Sequence, residues 1–202
     1  MPEYTVVAGP NGVGKSTFSK IFSAEDSIIF DPDKVKAVKE RQYPDIPLES
    51  IETMITTEYW NTEDSSVEKN LDLTVETNLR NGFLIDRLQF FKSRGYTTNL
   101  IYMILQDIKL STDRVGLRTA QKGHYIDPES IKYNFNQGLE VLKQHFKKFD
   151  NFLLMDGSVD KQLALPKRLL QISNQQISYF NAETPSWTMP LIDEIILKLN
   201  SN

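Results

Sequence analysis

The chain has no cysteine. That excludes a disulfide framework, a thiolate zinc site and a thiol nucleophile together. Its two histidines, His124 and His145, stand too far apart for a local metal-binding pair on one helix. No run of 18 or more apolar residues is present, and the first residues, Met-Pro-Glu-Tyr-Thr, carry no basic stretch leading into an apolar one. Neither a membrane partner nor export is expected, and the chain reads as cytoplasmic. There is no excess of positive charge either. Against 23 Lys and Arg stand 27 Asp and Glu, a net charge of −4. A phosphate-backbone binder needs clustered, uncompensated cations, so nucleic acid is not an expected partner. With 202 residues the chain is long enough for one domain with its own core, and residues 1–202 are expected to form a single unit.

Glycine is scarce, yet three of nine glycines (Gly9, Gly12, Gly14) fall within six residues. Crowding of that kind marks a backbone that must turn sharply or approach something closely. Apolar runs with strand character occur at Tyr4–Ala8, Ser27–Phe30, Leu71–Val75, Asn99–Leu105 and Phe152–Met155. They are continuous rather than alternating, which suits strands buried on both faces of a parallel sheet. Helical patterns lie between them, at Lys15–Ser23, Pro47–Trp60, Leu79–Arg94 (with Gly95 as a stop) and from Asp127 onward. A last one spans Pro190–Leu199. Asn61–Asn70, polar and without periodicity, reads as an exposed insertion. The expected architecture is an α/β, three-layer fold with a mostly parallel sheet of about five strands flanked by helices.

Gly9-Pro10-Asn11-Gly12-Val13-Gly14-Lys15-Ser16-Thr17 matches G-x-x-x-x-G-K-[ST] at every position, between a strand and a helix. Glycines let consecutive N–H groups point at a phosphate, and the helix N-terminus adds a favourable dipole. Lys15 would reach the β- and γ-phosphates, and the Ser16 hydroxyl would ligate magnesium. ATP and Mg2+ are therefore the expected cofactors. A transporter-type Leu-Ser-Gly-Gly-Gln stretch and a guanine-specific Asn-Lys-x-Asp are both missing, and Asp156 is followed by Gly157 rather than by the glutamate usual in motor ATPases.

Acidic residues at strand ends fall in the site of an open α/β sheet by topology. Asp31, Asp33, Glu76 and Asp156 are such residues, and an N-cap role competes with function for each, for Asp31 on equal terms. Arg114, Arg118 and Lys122 recur every four residues, so they line one helix face. Together with the phosphate loop they make residues 107–128 a candidate lid. Two functions remain open on these residues. One is a phosphotransferase; the other is a nucleotide-dependent binding module or ATPase that works with a protein partner.

The ordered set of phosphate loop, Asp33, Glu76-Thr77-Asn78, Arg114 and Arg118, Lys122-Gly123-His124 and Pro128 resembles the zeta toxin family, and more narrowly the bacterial branch known as predicted ABC-type ATPases. The studied members phosphorylate a sugar hydroxyl of UDP-N-acetylglucosamine. The resemblance implies Asp33 as base toward the acceptor hydroxyl, and Glu76 with Thr77 as acceptor-binding residues. It also implies Arg114 and Arg118 as clamps on the ATP phosphates, and an antitoxin protein as partner. The chain departs from the branch in having Asp31 where Asn is frequent, Lys122 where Gly is frequent, and Gly157 where Asn is frequent.

Overall fold

The computed structural model describes residues 1–120, 126–159 and 165–201. Its centre is one sheet of seven strands in the order β2-β3-β1-β4-β5-β6-β7. These are β1 (Glu3–Ala8), β2 (Ile28–Phe30), β3 (Leu73–Thr77), β4 (Thr97–Ile104), β5 (Asn151–Asp156), β6 (Lys167–Ser173) and β7 (Gln176–Phe180). The first five pair in parallel, as their continuous apolar runs predict. Side chains of β1 and β4 divide between two cores. Tyr4, Val6, Leu100 and Tyr102 enter one, and Val7, Ile101 and Met103 the other. Burial on both faces is why no polar alternation shows in these strands.

The sheet corrects the expected strand number. β6 and β7 add an antiparallel hairpin beyond β5. Its turn places Asn174 and Gln175 at positive φ (49° and 63°) without a glycine, and β7 is largely exposed at the sheet edge. Neither the turn signal nor a buried stripe was there to read.

Helices α1 (Lys15–Phe22), α2 (Pro32–Gln42), α3 (Leu48–Lys69), α4 (Phe83–Asp86), α5 (Leu88–Lys92), α6 (Ile108–Ala120), α7 (Pro128–His145) and α8 (Met189–Asn200) complete the chain as described. The supposed insertion at Asn61–Asn70 is instead the second half of α3, closed by Asn70 in the left-handed region. Its packed face carries polar letters. Glu63 is 1% exposed and receives Arg87 Nε at 3.0 Å, Arg87 Nη2 at 2.5 Å and Tyr59 Oη at 3.1 Å. Tyr96 Oη donates to the Ser66 carbonyl at 3.0 Å. A buried, fully partnered carboxylate looks in sequence like a solvated one, which is why the helix was not legible. The single helix expected over Leu79–Arg94 is two short ones broken at Arg87, while Gly95 (φ 80°) does end the second.

Among the described residues no helix is long and apolar enough to cross a membrane.

Candidate active site

The loop after β1 turns because three glycines adopt positive φ: Gly9 at 145°, Gly12 at 75° and Gly14 at 106°. A Cβ on Gly12 would lie 3.0 Å from Arg114 Cβ, so glycine is what lets α6 cross directly over the loop. Val13 is fully buried and packs into the space left by the missing side chain of Gly157, where a Cβ would stand 2.5 Å from Val13 Cγ2. Ser111 Oγ donates to the Asn11 carbonyl at 2.6 Å, and Asn134 Nδ2 donates to Asn11 Oδ1 at 2.9 Å. The loop is thus fastened from α6, α7 and the end of β5.

Lys15 Nζ donates to the carbonyls of Gly9 (2.9 Å) and Pro10 (3.2 Å) and to Asn78 Oδ1 (2.8 Å). Burial lowers its pKa to about 8, opposed by the nearby carboxylates of Asp33, Glu76 and Asp31. Ser16 Oγ lies 2.7 Å from Glu76 Oε2 and 3.1 Å from Asp31 Oδ2, so its one proton serves two carboxylates. Glu76, 2% exposed, also accepts from Ser19 Oγ at 2.6 Å. Asp31 caps α2 through Oδ1, which accepts from the N–H groups of Asp33 and Lys34. The same carboxylate reaches Ser16 with its other oxygen. The N-cap weighed in the sequence is thus present, and the same side chain also faces the phosphate-loop serine.

Ser16, Asp31 and Glu76 form a hard oxygen set of the kind magnesium takes when substrate phosphates and waters complete its shell. Among the described residues no cluster of three or more His, Cys, Asp and Glu forms a self-sufficient metal cage. The donor set fits a metal that arrives with a nucleotide.

Asp33 sits exposed on the first turn of α2. Thr77 uses its hydroxyl to hold the turn after β3, where Oγ1 accepts from the Leu79 N–H at 2.9 Å. The Arg114 guanidinium donates to three backbone oxygens beyond β5, those of Gly157 (2.6 Å), Ser158 (3.2 Å) and Val159 (2.9 Å). Arg118, one turn on, is exposed. Lys122, Gly123 and His124 lie outside the described residues.

Two cavities meet here. One of about 750 Å3 lies over the loop and is lined by Lys15, Ser16, Thr17, Arg114 and Arg118. The other, of about 690 Å3, lies between α2, α3 and the start of α7. Asn11, Pro32, Asp33, Glu76, Thr77 and Asn78 line both. Of the predicted site residues, Asn11, Gly12, Gly14, Lys15, Ser16, Thr17, Asp33, Glu76, Thr77, Arg114 and Arg118 line one cavity or the other, whereas Gly9, Pro10 and Val13 line neither, Val13 being packed inward against Gly157.

Sequence reasoning missed the side chains of Asn78 and Asn134, and Gly138. The signal was present for two of them, since Asn134 and Gly138 interrupt the apolar stripe Ile131, Phe135 and Leu142 of α7. A polar or missing side chain on a buried stripe marks a contact other than plain packing. Asn78 stood next to Glu76-Thr77 with nothing to show that it would meet Lys15.

A phosphate-loop opening, a parallel sheet flanked by helices and acidic strand ends facing that loop define a P-loop fold of the kinase-like kind. The zeta toxin family model matches residues 1–157, and the chain belongs to the zeta toxin family. An uncharacterized protein of Haemophilus influenzae is 22% identical over 128 residues, covering 63% of this chain and 88% of that protein. Among solved structures, one from the PezAT chromosomal toxin-antitoxin system of Streptococcus pneumoniae superposes with a TM-score of 0.65 at 15% identity. It covers 99% of this chain and 86% of its own. A chain of the AvrRxo1-ORF1:-ORF2 complex with ATP superposes at 0.65 and 13% identity over 91% of this chain, which spans 62% of that longer one. At such identities the likeness is one of fold.

Proposed function

We propose that the protein is an ATP- and Mg2+-dependent phosphotransferase that moves the γ-phosphoryl group to a hydroxyl of a small molecule. The observation that carries this reading is the pair of adjoining cavities with Asp33 in their common wall. One chamber has the phosphate loop. The other, of about 690 Å3, has room for a second substrate, and a carboxylate stands between them. An ATPase needs only the first.

In this reading the acceptor oxygen bonds to the γ-phosphorus as the bond from that phosphorus to the β,γ-bridging oxygen breaks. Asp33 takes the hydroxyl proton, and ADP and the phosphorylated acceptor leave. The loop N–H groups and Lys15 hold the β- and γ-phosphates. To do so, Lys15 exchanges its own carbonyl partners for phosphate oxygens. Ser16, with Asp31 and Glu76 behind it, would hold magnesium, which supplies charge neutralisation at the phosphates. Arg118 and the Arg114 helix face line the phosphate side, where cations stabilise charge on the equatorial oxygens. Residues 107–128 act as a lid that excludes water, within a single kinase-like domain over residues 1–202.

Zeta toxin membership supports UDP-N-acetylglucosamine as the reference acceptor. The toxin-antitoxin description of the pneumococcal neighbour supports an antitoxin protein as partner. The test is transfer of label from γ-labelled ATP in the presence of Mg2+ and acceptor. Asp33→Asn should keep ATP affinity within about twofold and lower transfer at least a hundredfold, the usual range for a lost general base. An unchanged transfer rate would reject Asp33 as base, and no acceptor-dependent ADP release would reject the kinase.

A further inference from the structure

Two glutamates are buried to nearly the same degree, and they are partnered differently. Glu63, 1% exposed, meets the Arg87 guanidinium and the Tyr59 hydroxyl. Glu76, 2% exposed, meets the hydroxyls of Ser16 and Ser19, and among the described residues no Lys, Arg or His forms an ion pair with it. Lys15 and Lys34 act on its charge only at a distance. A buried carboxylate held by neutral hydroxyls is costly unless a cation completes its surroundings. The place left for one is beside Ser16, where Asp31 also converges.

The two hydroxyls are not equivalent. Ser16 Oγ has one proton between Glu76 Oε2 at 2.7 Å and Asp31 Oδ2 at 3.1 Å. Ser19 Oγ gives its proton to Glu76 Oε1 at 2.6 Å. The two serines are three residues apart on α1, so they stand on one face of it, against the end of β3. Ser19 is 0% exposed and lines neither cavity. With Phe18 it forms the buried side of α1, where packing alone would take an apolar side chain. A hydroxyl at such a place is costly without a partner, and Glu76 is its partner.

Resting on the ATP and Mg2+ part of the phosphotransferase reading, we propose that Ser19 is a positioning residue for the metal site. It holds Oε1, and so fixes the Glu76 carboxylate with Oε2 turned to Ser16 and to the cation that arrives with ATP. A glutamate side chain is long and flexible, and the single proton that Ser16 divides between two carboxylates does not fix it. Without Ser19 the outer oxygen has to be ordered when the cation binds, and the loss falls on metal affinity. Sealed from both cavities, Ser19 reaches nucleotide and metal through Glu76 alone. The phosphate-loop pattern ends before it and does not include it.

The experiment uses the full chain. Mn2+, which takes oxygen donors as Mg2+ does, is titrated into the ATP complex and followed by the EPR signal of the free ion. ATP binding without metal is measured by calorimetry in EDTA. Ser19→Ala should weaken Mn2+ about 10–100-fold, the range for a lost partner of a metal ligand, and keep metal-free ATP affinity within about twofold. In the transfer assay the Mg2+ concentration at half-maximal rate should rise by a like factor, with kcat recovered in excess Mg2+. Ser23→Ala is the control, since Ser23 bonds the Ser19 carbonyl and the Thr74 hydroxyl one turn further along α1. It should leave Mn2+ affinity unchanged. Glu76→Gln should weaken Mn2+, and adding Ser19→Ala to it should weaken it no further. Ser19→Cys, of similar volume and with a weak S–H donor, should shift Mn2+ affinity the same way and serves if the alanine variant does not fold. Unchanged Mn2+ affinity in the Ser19 variants, an equal loss in Ser23→Ala, or additive losses with Glu76→Gln would overturn the proposal and leave the kinase standing. The expected Mn2+ pattern with no label transferred to any acceptor would uphold the role of Ser19 and reject the kinase. A parent protein that binds neither ATP nor Mn2+ would overturn both.

Discussion

Gly138 is in the middle of α7, where glycine normally costs helix stability, so Gly138→Ala offers a sharp test of how closely the site is built. On propensity alone the substitution should stabilise the protein by about 0.5–1 kcal/mol. The structure predicts the opposite sign. A Cβ there would lie 2.5 Å from the Asn78 carbonyl oxygen and 2.7 Å from the Tyr102 hydroxyl, both held by the sheet and its exit loop. Real Cβ atoms do not approach that closely, so α7 or the loop after β3 must move. Overpacking of this kind costs about 1–3 kcal/mol, which set against the propensity gain leaves a net loss of about 1 kcal/mol at mid-range. At this chain length that lowers Tm by roughly 2–4 °C per kcal/mol. The control is Gly116→Ala in α6, whose Cβ meets nothing within 4 Å, and which should gain the propensity term and nothing else. Urea midpoints of the two variants should therefore move in opposite directions. Because Asn78 Oδ1 holds Lys15, the displaced loop should also weaken ATP binding in Gly138→Ala and not in Gly116→Ala. If Gly138→Ala is as stable as the parent or more so, the close approach of α7 to Asn78 is wrong, and the wall shared by the two cavities with it.

The lowered pKa of Lys15, about 8, gives ATP binding a pH dependence. A triphosphate selects the ammonium form, which is about nine-tenths populated at pH 7 and about one-tenth at pH 9. Affinity should fall about tenfold between them, with proton uptake on binding above pH 8; a flat calorimetric profile over that range would refute it. Arg87→Met strands the buried Glu63 carboxylate and should cost about 3 kcal/mol, read as a lower denaturation midpoint. Combining it with Glu63→Gln should restore part of that loss, and an additive double mutant would show that the pair does not act as a pair. Asp33→Asn should separate ATP binding from transfer, as set out above.

Much of the parallel half of the fold was legible because its physics is local. Inner strands buried on both faces must be largely apolar, and the loop between the first strand and helix needs glycine at positions of positive φ. Both facts are written in consecutive letters. The β6–β7 hairpin escaped because Asn174 and Gln175 take left-handed conformations without glycine, and because an exposed edge strand needs no apolar stripe. The second half of α3 escaped for a related reason. Glu63 and Ser66 are core residues only by virtue of Arg87 and Tyr96, which come from elsewhere in the chain. In the site, Lys15, Ser16, Asp33 and Glu76 could be named from motif and strand ends, but who touches whom could not. That Glu76 bonds to Ser16 and Ser19, that Arg114 reaches the carbonyls beyond β5, and that Asn78 rather than a carboxylate holds Lys15 were settled by folding.

The sequence by itself determined a glycine-rich loop of the phosphate-loop pattern, a parallel α/β sheet and a short set of acidic and basic residues facing it. Each depends on neighbours within a few residues, on glycine spacing, run length or the turn of a helix. Only the tertiary structure decided that a second chamber adjoins the first and that a helix lies against the loop after β3 at Gly138. Those features arise between segments far apart in sequence, such as Asn11 with Asn134, 123 residues on, and Lys15 with Asn78, 63 residues on. Their distance in space is set by how the sheet stacks its strands, which no local pattern of residues records.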